Sequence, residues 1–511
     1  MQQQNLKTLV IVGGGTAGWM SAAALAKVTN GRYAIKLIEA PDIPTVGVGE
    51  STIPMIKLFN KLIGLDENTF IRETQATFKL GIEFRDWARL GDSYMHAFGT
   101  IGHASTILSF HHYWQRMQQA GKAPDLWACS INATAARAHR FMRADASFGA
   151  SPLAEINHAF HVDAGLYAGF LRRHAEGLGV QRIAARVQDA VLNPENGHVQ
   201  AVRLEGGEQV DGDLFIDCSG FRGLLIEQAL HTGYESWGHW LPCDRAVVVP
   251  SARAKELPPY TRATARAAGW QWRIGLQHRT GNGHVYCSAA MNDDEAARLL
   301  MRNLDGEALG DPRVLRFNSG RRRKIWNRNV VAIGLSAGFM EPLESTAIHL
   351  VQSTIARLIQ YFPHAGFDAV DIQEFNRQCD FESERIRDFL ILHYHATERT
   401  DSAFWQHCRS MEVPASLQAK LDQYRANGRI VRHADELFAE VGWLQVLHGQ
   451  RVAAQGYHPL ADALDETEIA AYLTDVHTVI GRCVEQIPSH ADYIAANCAA
   501  PALEDPAPCM S

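Results

Sequence analysis

The hydrophobic pattern opens on a β-branched run, Lys7–Val12, that ends in Gly13-Gly14-Gly15-Thr16-Ala17-Gly18 and passes into an alanine-rich helical stretch, Trp19–Val28. A second strand-like run, Tyr33–Ile38, closes at Glu39. The order is strand, glycine turn, helix, strand. The same kind of pattern returns twice, as VDGDLFIDCSG over Val210–Gly220, where Leu214 and Ile216 mark a strand that ends in a small-residue turn, and as NVVAIGLSAG over Asn329–Gly338. These returns predict an α/β dinucleotide-binding domain built from scattered pieces. Insertions at about 55–155 and 225–325 separate the pieces, and from 371 to 511 the pattern becomes mostly helical. The expected division is a discontinuous core over 1–370 and a helical region over 371–511.

The glycine spacing has a physical reading. In Gly13-x-Gly15-x-x-Gly18 the glycines allow a tight turn and close backbone approach, so the N-terminus of the following helix faces a pyrophosphate. An acid at Glu39, near the end of the second strand, suits a free ribose 2′-hydroxyl and so favours FAD or NAD over NADP. Strands that return from distant parts of the chain favour the larger cofactor, and with it a flavin monooxygenase-type Rossmann-like fold. The loop Thr45-Val46-Gly47-Val48-Gly49-Glu50-Ser51-Thr52 is either a surface loop or a segment able to lie against a flat ring or phosphates.

Composition narrows the function classes. The 511 residues carry 49 Lys and Arg against 56 Asp and Glu, a formal charge of -7, so no basic excess exists to attract nucleic acid or anionic lipid. Nine cysteines without a CxxC pair read neither as a secreted disulfide framework nor as a zinc site, and a reducing cytoplasm is the expected setting. No run approaches the ~18 apolar residues of a membrane span. No metal is expected.

Three stretches hold candidate chemistry. In Phe78-Lys79-Leu80-Gly81-Ile82-Glu83-Phe84-Arg85 apolar residues alternate with polar ones, which places Lys79 on the face opposite the core, a solvated position unless something else recruits it. Around Glu341-Pro342-Leu343-Glu344-Ser345-Thr346-Ala347-Ile348 a proline-fixed turn leads into an amphipathic helix starting near Ser345. Ser345 is a candidate N-cap, and the amides that follow form an alternative site for a small anion, with Glu344 just before it. In Trp270-Gln271-Trp272-Arg273-Ile274-Gly275 the two tryptophans share one strand face, and Gly281-Asn282-Gly283 reads as a turn.

Taken together, GGGTAGW, GVGEST, the Lys in F-K-L-G, W-x-W-x-I and EPLEST, in this order, resemble the flavin-dependent halogenases of the tryptophan halogenase type over residues 10 to about 360. The resemblance implies reduced FAD from a separate flavin reductase, oxygen, and chloride or bromide as co-substrate. Together these yield hypohalous acid, which halogenates an electron-rich aromatic. It implies Lys79 and Glu344 as the catalytic pair, the first to hydrogen-bond or trap the oxidised halogen and the second to stabilise the arenium cation and take its proton.

It further implies Thr346 and Ala347 as the halide site, and Gly13, Gly15, Thr16, Ala17, Gly18, Glu39, Gly49, Glu50, Leu335 and Ile348 as flavin contacts. His96-Ala97-Phe98-Gly99 resembles the segment that sandwiches the indole, with Trp443 as a third wall in a helical region covering the substrate site. Two residues depart from the family pattern, Ala347 where glycine is frequent and Gly275 where proline ends W-x-W-x-I-P. The paired tyrosines and acid that hold the amino-acid group of tryptophan are missing before Trp443, where the chain reads Tyr424-Arg425-Ala426-Asn427-Gly428-Arg429. Indole or an indole derivative is therefore expected ahead of free tryptophan. A flavin-dependent aromatic hydroxylase and a non-catalytic flavin-fold binding protein are the alternatives.

Overall fold

A computed structural model describes residues 6–42, 49–103, 108–364, 366–433 and 435–503. The loop Thr45–Val48 lies outside them. The chain divides into two compact units, one made of Met1–Ala76, Val162–His239 and Arg316–Glu384, the other of Thr77–His161, Trp240–Leu315 and Arg385–Ser511.

In the first unit the opening run forms strand β1 (Thr8–Val12), helix α1 (Thr16–Thr29) and strand β2 (Ala34–Glu39). β1 lies parallel to β2 on one side and to the strand Leu214–Asp217 on the other, which in turn pairs with Val330–Ala332. Residues Leu9–Val12 are buried on both faces, as a central parallel strand requires. The apolar side of α1 packs against the helices Ala164–Gly177 and Ala347–Gln360. Gly13, at a positive φ of 116°, brings the chain against the Cys218 carbonyl, where a Cβ would collide. The cysteines among the described residues are free thiols, and no described helix is long and apolar enough to cross a membrane.

The second unit is organised by a seven-stranded sheet. Its edge contains β5 (Gly81–Arg85) and β6 (Ser93–Ala97), antiparallel to each other, and β5 runs parallel to the strand Thr261–Arg266. The Phe78–Arg85 segment differs from a single strand. It breaks at Leu80 into β4 (Thr77–Lys79) and β5, and β4 turns away to pair with the strand Ala159–Asp163. Leu80 gives its amide to Pro259 and its carbonyl to the Phe98 amide at 2.8 Å, which fixes the break.

Gly281 and Gly283 are likewise not a turn. They lie inside the strand Arg279–Tyr286, opposite Ile274 and Trp272, and the reversal falls at Leu276–Arg279. Glycine is required at 283 because the Trp272 ring occupies the place of its Cβ. Both tryptophans of the motif are buried.

The C-terminal helix His490–Asn497 is tied to β4 and to the loop before the strand Thr261–Arg266 by polar contacts. His490 donates from Nδ1 to the Leu257 carbonyl at 2.8 Å, so its Nε2 is the acceptor for the Phe78 amide at 3.1 Å. Burial pushes His490 down to about 4, consistent with that neutral tautomer. His490→Leu leaves two buried backbone groups unpaired, and chemical denaturation is expected to show a loss of about 2–4 kcal/mol.

Candidate functional site

A cavity of about 570 Å³ in the first unit is lined by Gly13–Ala17, Glu39, Glu50, Leu335, Ala347 and Ile348 among others. Gly15 faces open space, so a ligand can reach its backbone, whereas a Cβ on Gly14 would strike the Glu39 carboxylate and one on Gly18 the Gly13 carbonyl. That is a cradle for a phosphate at the start of α1, and the volume lies within the range for a cofactor site. Glu39 lines the cavity with its carboxylate already engaged, by Arg182 and by Trp19 Nε1 at 3.2 Å. Gly18 and Gly49 are not among the residues that line it.

Arg321, Arg357 and Cys379 also line this cavity, and none is marked by a motif. The basic run Arg321-Arg322-Arg323-Lys324 in an acidic chain is the signal that points to the first. Arg357 is held at 2.7 Å by Glu382, whose other oxygen meets His349 Nε2 at 2.8 Å. Burial alone would raise Glu382, but these two partners hold it down at about 2. The carboxylate is therefore a fixed negative charge.

Glu50, on β3 (Gly49–Ser51), behaves in the opposite way, because burial lifts its carboxyl from 4.5 to about 7. With the folded value above the unfolded one, the folded state binds the extra proton between those limits, so stability is lost as pH rises from 4.5 to 7. The protein is expected to lose up to about 3 kcal/mol across this window, and Glu50→Gln to flatten the profile in denaturation series.

The start of helix Ala347–Gln360 is built differently from a capped helix. Pro342–Glu344 make a short 3-10 turn, and Ser345 closes it in the left-handed region at φ 60°, ψ 35°. Ser345 is thus not the N-cap, and its hydroxyl bonds Ser51 Oγ at 3.0 Å instead. Thr346 is the N-cap without a side-chain cap bond, its buried Oγ1 having no hydrogen-bond partner among the described residues. Ala347 begins the helix with ordinary helical backbone, so glycine is not required there. Glu344 is 1% exposed.

In the second unit Lys79 is fully buried rather than solvated. Its ammonium lies 5.2 Å from the Phe98 ring centroid. Nearby, His161 is lowered well below its ordinary value by burial, then by Lys79 and His490, and it stays neutral. His161 bridges Thr77 Oγ1 (3.1 Å) and Thr261 Oγ1 (2.8 Å), and Thr77 in turn donates to the Gly275 carbonyl at 2.6 Å. This anchors the strand end at Gly275.

His96, Phe98 and Trp443 belong to the same neighbourhood. Gln445 ties the helix Glu440–Gly449 to β6 through both backbone groups of Ala97, each at 3.0 Å. That contact sets Gly442 against the His96 ring. Phe389 packs against both, 5.4 Å from His96 and 5.0 Å from Trp443 between ring centroids. Lys420 covers the other side of Trp443 at 4.9 Å. Phe389 carried no sequence signal, since a phenylalanine in a long helix reads as ordinary core.

The sequence profile of the tryptophan halogenase family matches residues 8–466. The tryptophan 7-halogenase RebH of Lentzea aerocolonigenes is 38% identical over 82% of each chain. Among solved structures, a flavin-dependent halogenase from Xanthomonas campestris superposes with a TM-score of 0.95 at 44% identity, covering 98% of this chain and 100% of that one. The flavin-dependent halogenase BrvH from Brevundimonas sp. BAL3 gives 0.93 at 44% identity, covering 97% and 99%.

Proposed function

Because the chain belongs to the tryptophan halogenase family and is a flavin-dependent halogenase, we propose that it uses FAD, reduced by a separate reductase, with oxygen and chloride or bromide to halogenate indole or an indole derivative. The FAD dependence itself follows from the family, and the relatives named above are halogenases, which gives the hydroxylase alternative no support. A reducing cytoplasm suits both the free thiols and a reductase-fed flavin.

Reduced flavin, when bound, would activate oxygen to oxidise the halide, and the protein supplies placement. Gly15 and the start of α1 offer backbone N–H groups to a phosphate, while Glu50, Leu335 and Ile348 border the same cavity. The amides of Thr346 and Ala347 hold the halide at a helix N-terminus. Lys79 carries the oxidised halogen as its hydrogen-bonded partner, and Glu344 takes the ring proton. The helical region from 371 onward furnishes the aromatic walls through Phe389 and Trp443.

One observation supports this reading best: Lys79 is a lysine buried against the face of an aromatic ring, an expensive position for a merely structural cation. The substrate choice is supported by Tyr424, which is buried within the helix Ala415–Asn427 and so does not offer a hydroxyl to an amino-acid group. The test is product formation with FAD, a flavin reductase and bromide, read from isotope patterns. Indole is expected to be brominated at least tenfold faster than free tryptophan, and equal rates would overturn the substrate assignment.

A further inference from the structure

We propose that the second unit carries a small-anion site of halide size on the polar face of its seven-stranded sheet, separate from the flavin cavity. The strands Thr261–Arg266 and Gly269–Gly275 are antiparallel with Arg262 directly opposite Arg273 and Thr264 opposite Gln271. Like charges directly opposite one another destabilise a sheet unless something neutral or negative intervenes. Arg85 joins the same face, since it pairs in register with Thr264.

Three carboxylates, Glu83, Asp305 and Asp86, answer four guanidiniums there. Glu83 is shared between Arg85 at 3.0 Å and Arg262 at 2.7 Å, and Asp305 pairs with Arg273. Arg266 has Gln271 as its hydrogen-bond partner, with Asp86 and Arg399 exerting opposite electrostatic influences on it. Burial depresses Arg273, Asp305 works against that, and Arg262, Arg266 and Arg85 add to the depression. The face keeps a positive excess.

A pocket with about 10 Å³ of room lies among Arg262, Thr264, Arg266, Gln271, Arg273 and Asn282. Gln271 decides what suits it. Its Oε1 accepts from Arg266 Nε at 3.0 Å, and because that nitrogen can only donate, the amide orientation is fixed. Nε2 is therefore left as a donor, buried on a side chain that is 6% exposed and without a partner among the described residues. The volume is near the minimum for a single water-sized occupant. The wall presents guanidinium N–H groups and an amide NH₂, with the Thr264 and Asn282 side-chain oxygens as its acceptors. A monatomic anion satisfies the unpaired donor and the charge excess together, and Arg273, which also donates to the Asn303 carbonyl at 2.6 Å, closes one side.

The test uses the FAD-loaded full chain. Crystals soaked in bromide are expected to show an anomalous peak between Arg266, Arg273 and Gln271. In solution, bromide replacing gluconate at constant ionic strength should raise Tm with half-maximal effect below about 0.1 M. Gln271→Leu should need at least tenfold more bromide for the same shift. If that variant folds poorly, Arg266→Met removes the charge from the solvent side and should show the same loss. No peak at this position, a peak unchanged in both variants, or an adventitious ion only, seen at molar bromide with no variant-sensitive Tm shift, would each overturn the proposal.

Discussion

Lys79→Met should reduce halide-dependent product by about 10³-fold or more while the chain still folds and keeps its flavin. Lys79 is buried, with its ammonium over the Phe98 ring. Flavin affinity is expected to stay within about twofold, since Lys79 is not among the residues bordering the 570 Å³ cavity. Hydrogen peroxide should still be released in the presence of reductase, because oxygen consumption does not require the group that handles the halogen. Tm, FAD titration, peroxide and product measured on one preparation check the four expectations. Product above a tenth of the wild-type level would remove Lys79 from the proposed mechanism.

Much of the first unit could be read from sequence because its signals are local. Three glycines, a β-branched run and an alanine-rich helix dictate β1, α1 and β2 without help from distant residues. The strands Leu214–Asp217 and Val330–Ala332 were equally plain, each a short apolar run closed by small residues. Burial of Lys79 was not legible from the strand pattern. Alternation assigns faces only within one continuous strand, and the break at Leu80 puts Lys79 on a different strand from Glu83 and Arg85. What fixes that break is a pair of backbone bonds to Pro259 and Phe98, one of them from a segment far along the chain.

Two further misreadings have the same cause. Gly281 and Gly283 looked like a turn because glycine punctuates loops, yet Gly283 is dictated by the neighbouring strand's Trp272 ring. Ser345 looked like a helix cap, yet it is a left-handed residue whose hydroxyl is engaged by Ser51, nearly three hundred positions earlier. In each case a residue type with a strong local preference is used for a long-range fit.

Glu344→Gln and Ala347→Asp should damage halogenation in distinguishable ways, although the two positions are three residues apart. Ser345 is the reason. Its left-handed backbone separates the 3-10 turn that carries Glu344 from the helix whose first amides follow, so the carboxylate and the N–H row need not share a direction. A carboxylate beside the halide would repel it, and the reversal at Ser345 removes that conflict. Glu344→Gln keeps shape and loses charge, so turnover at saturating bromide should fall by about 10²–10³-fold with little change in bromide KM, and most for the least electron-rich rings.

Ala347→Asp does the reverse. An acid in the first turn of helix Ala347–Gln360 is favoured by the helix dipole and can take the free amides itself, so Tm should hold or rise slightly. The halide then competes with a tethered carboxylate, and bromide KM should increase by at least about tenfold while turnover at saturation changes little. Peroxide release at low bromide should rise in step with lost product. Product and peroxide measured against bromide for both variants check the division. If Glu344→Gln shifts mainly KM, or Ala347→Asp mainly turnover, the assignment of substrate-side acid and halide-side amides is wrong.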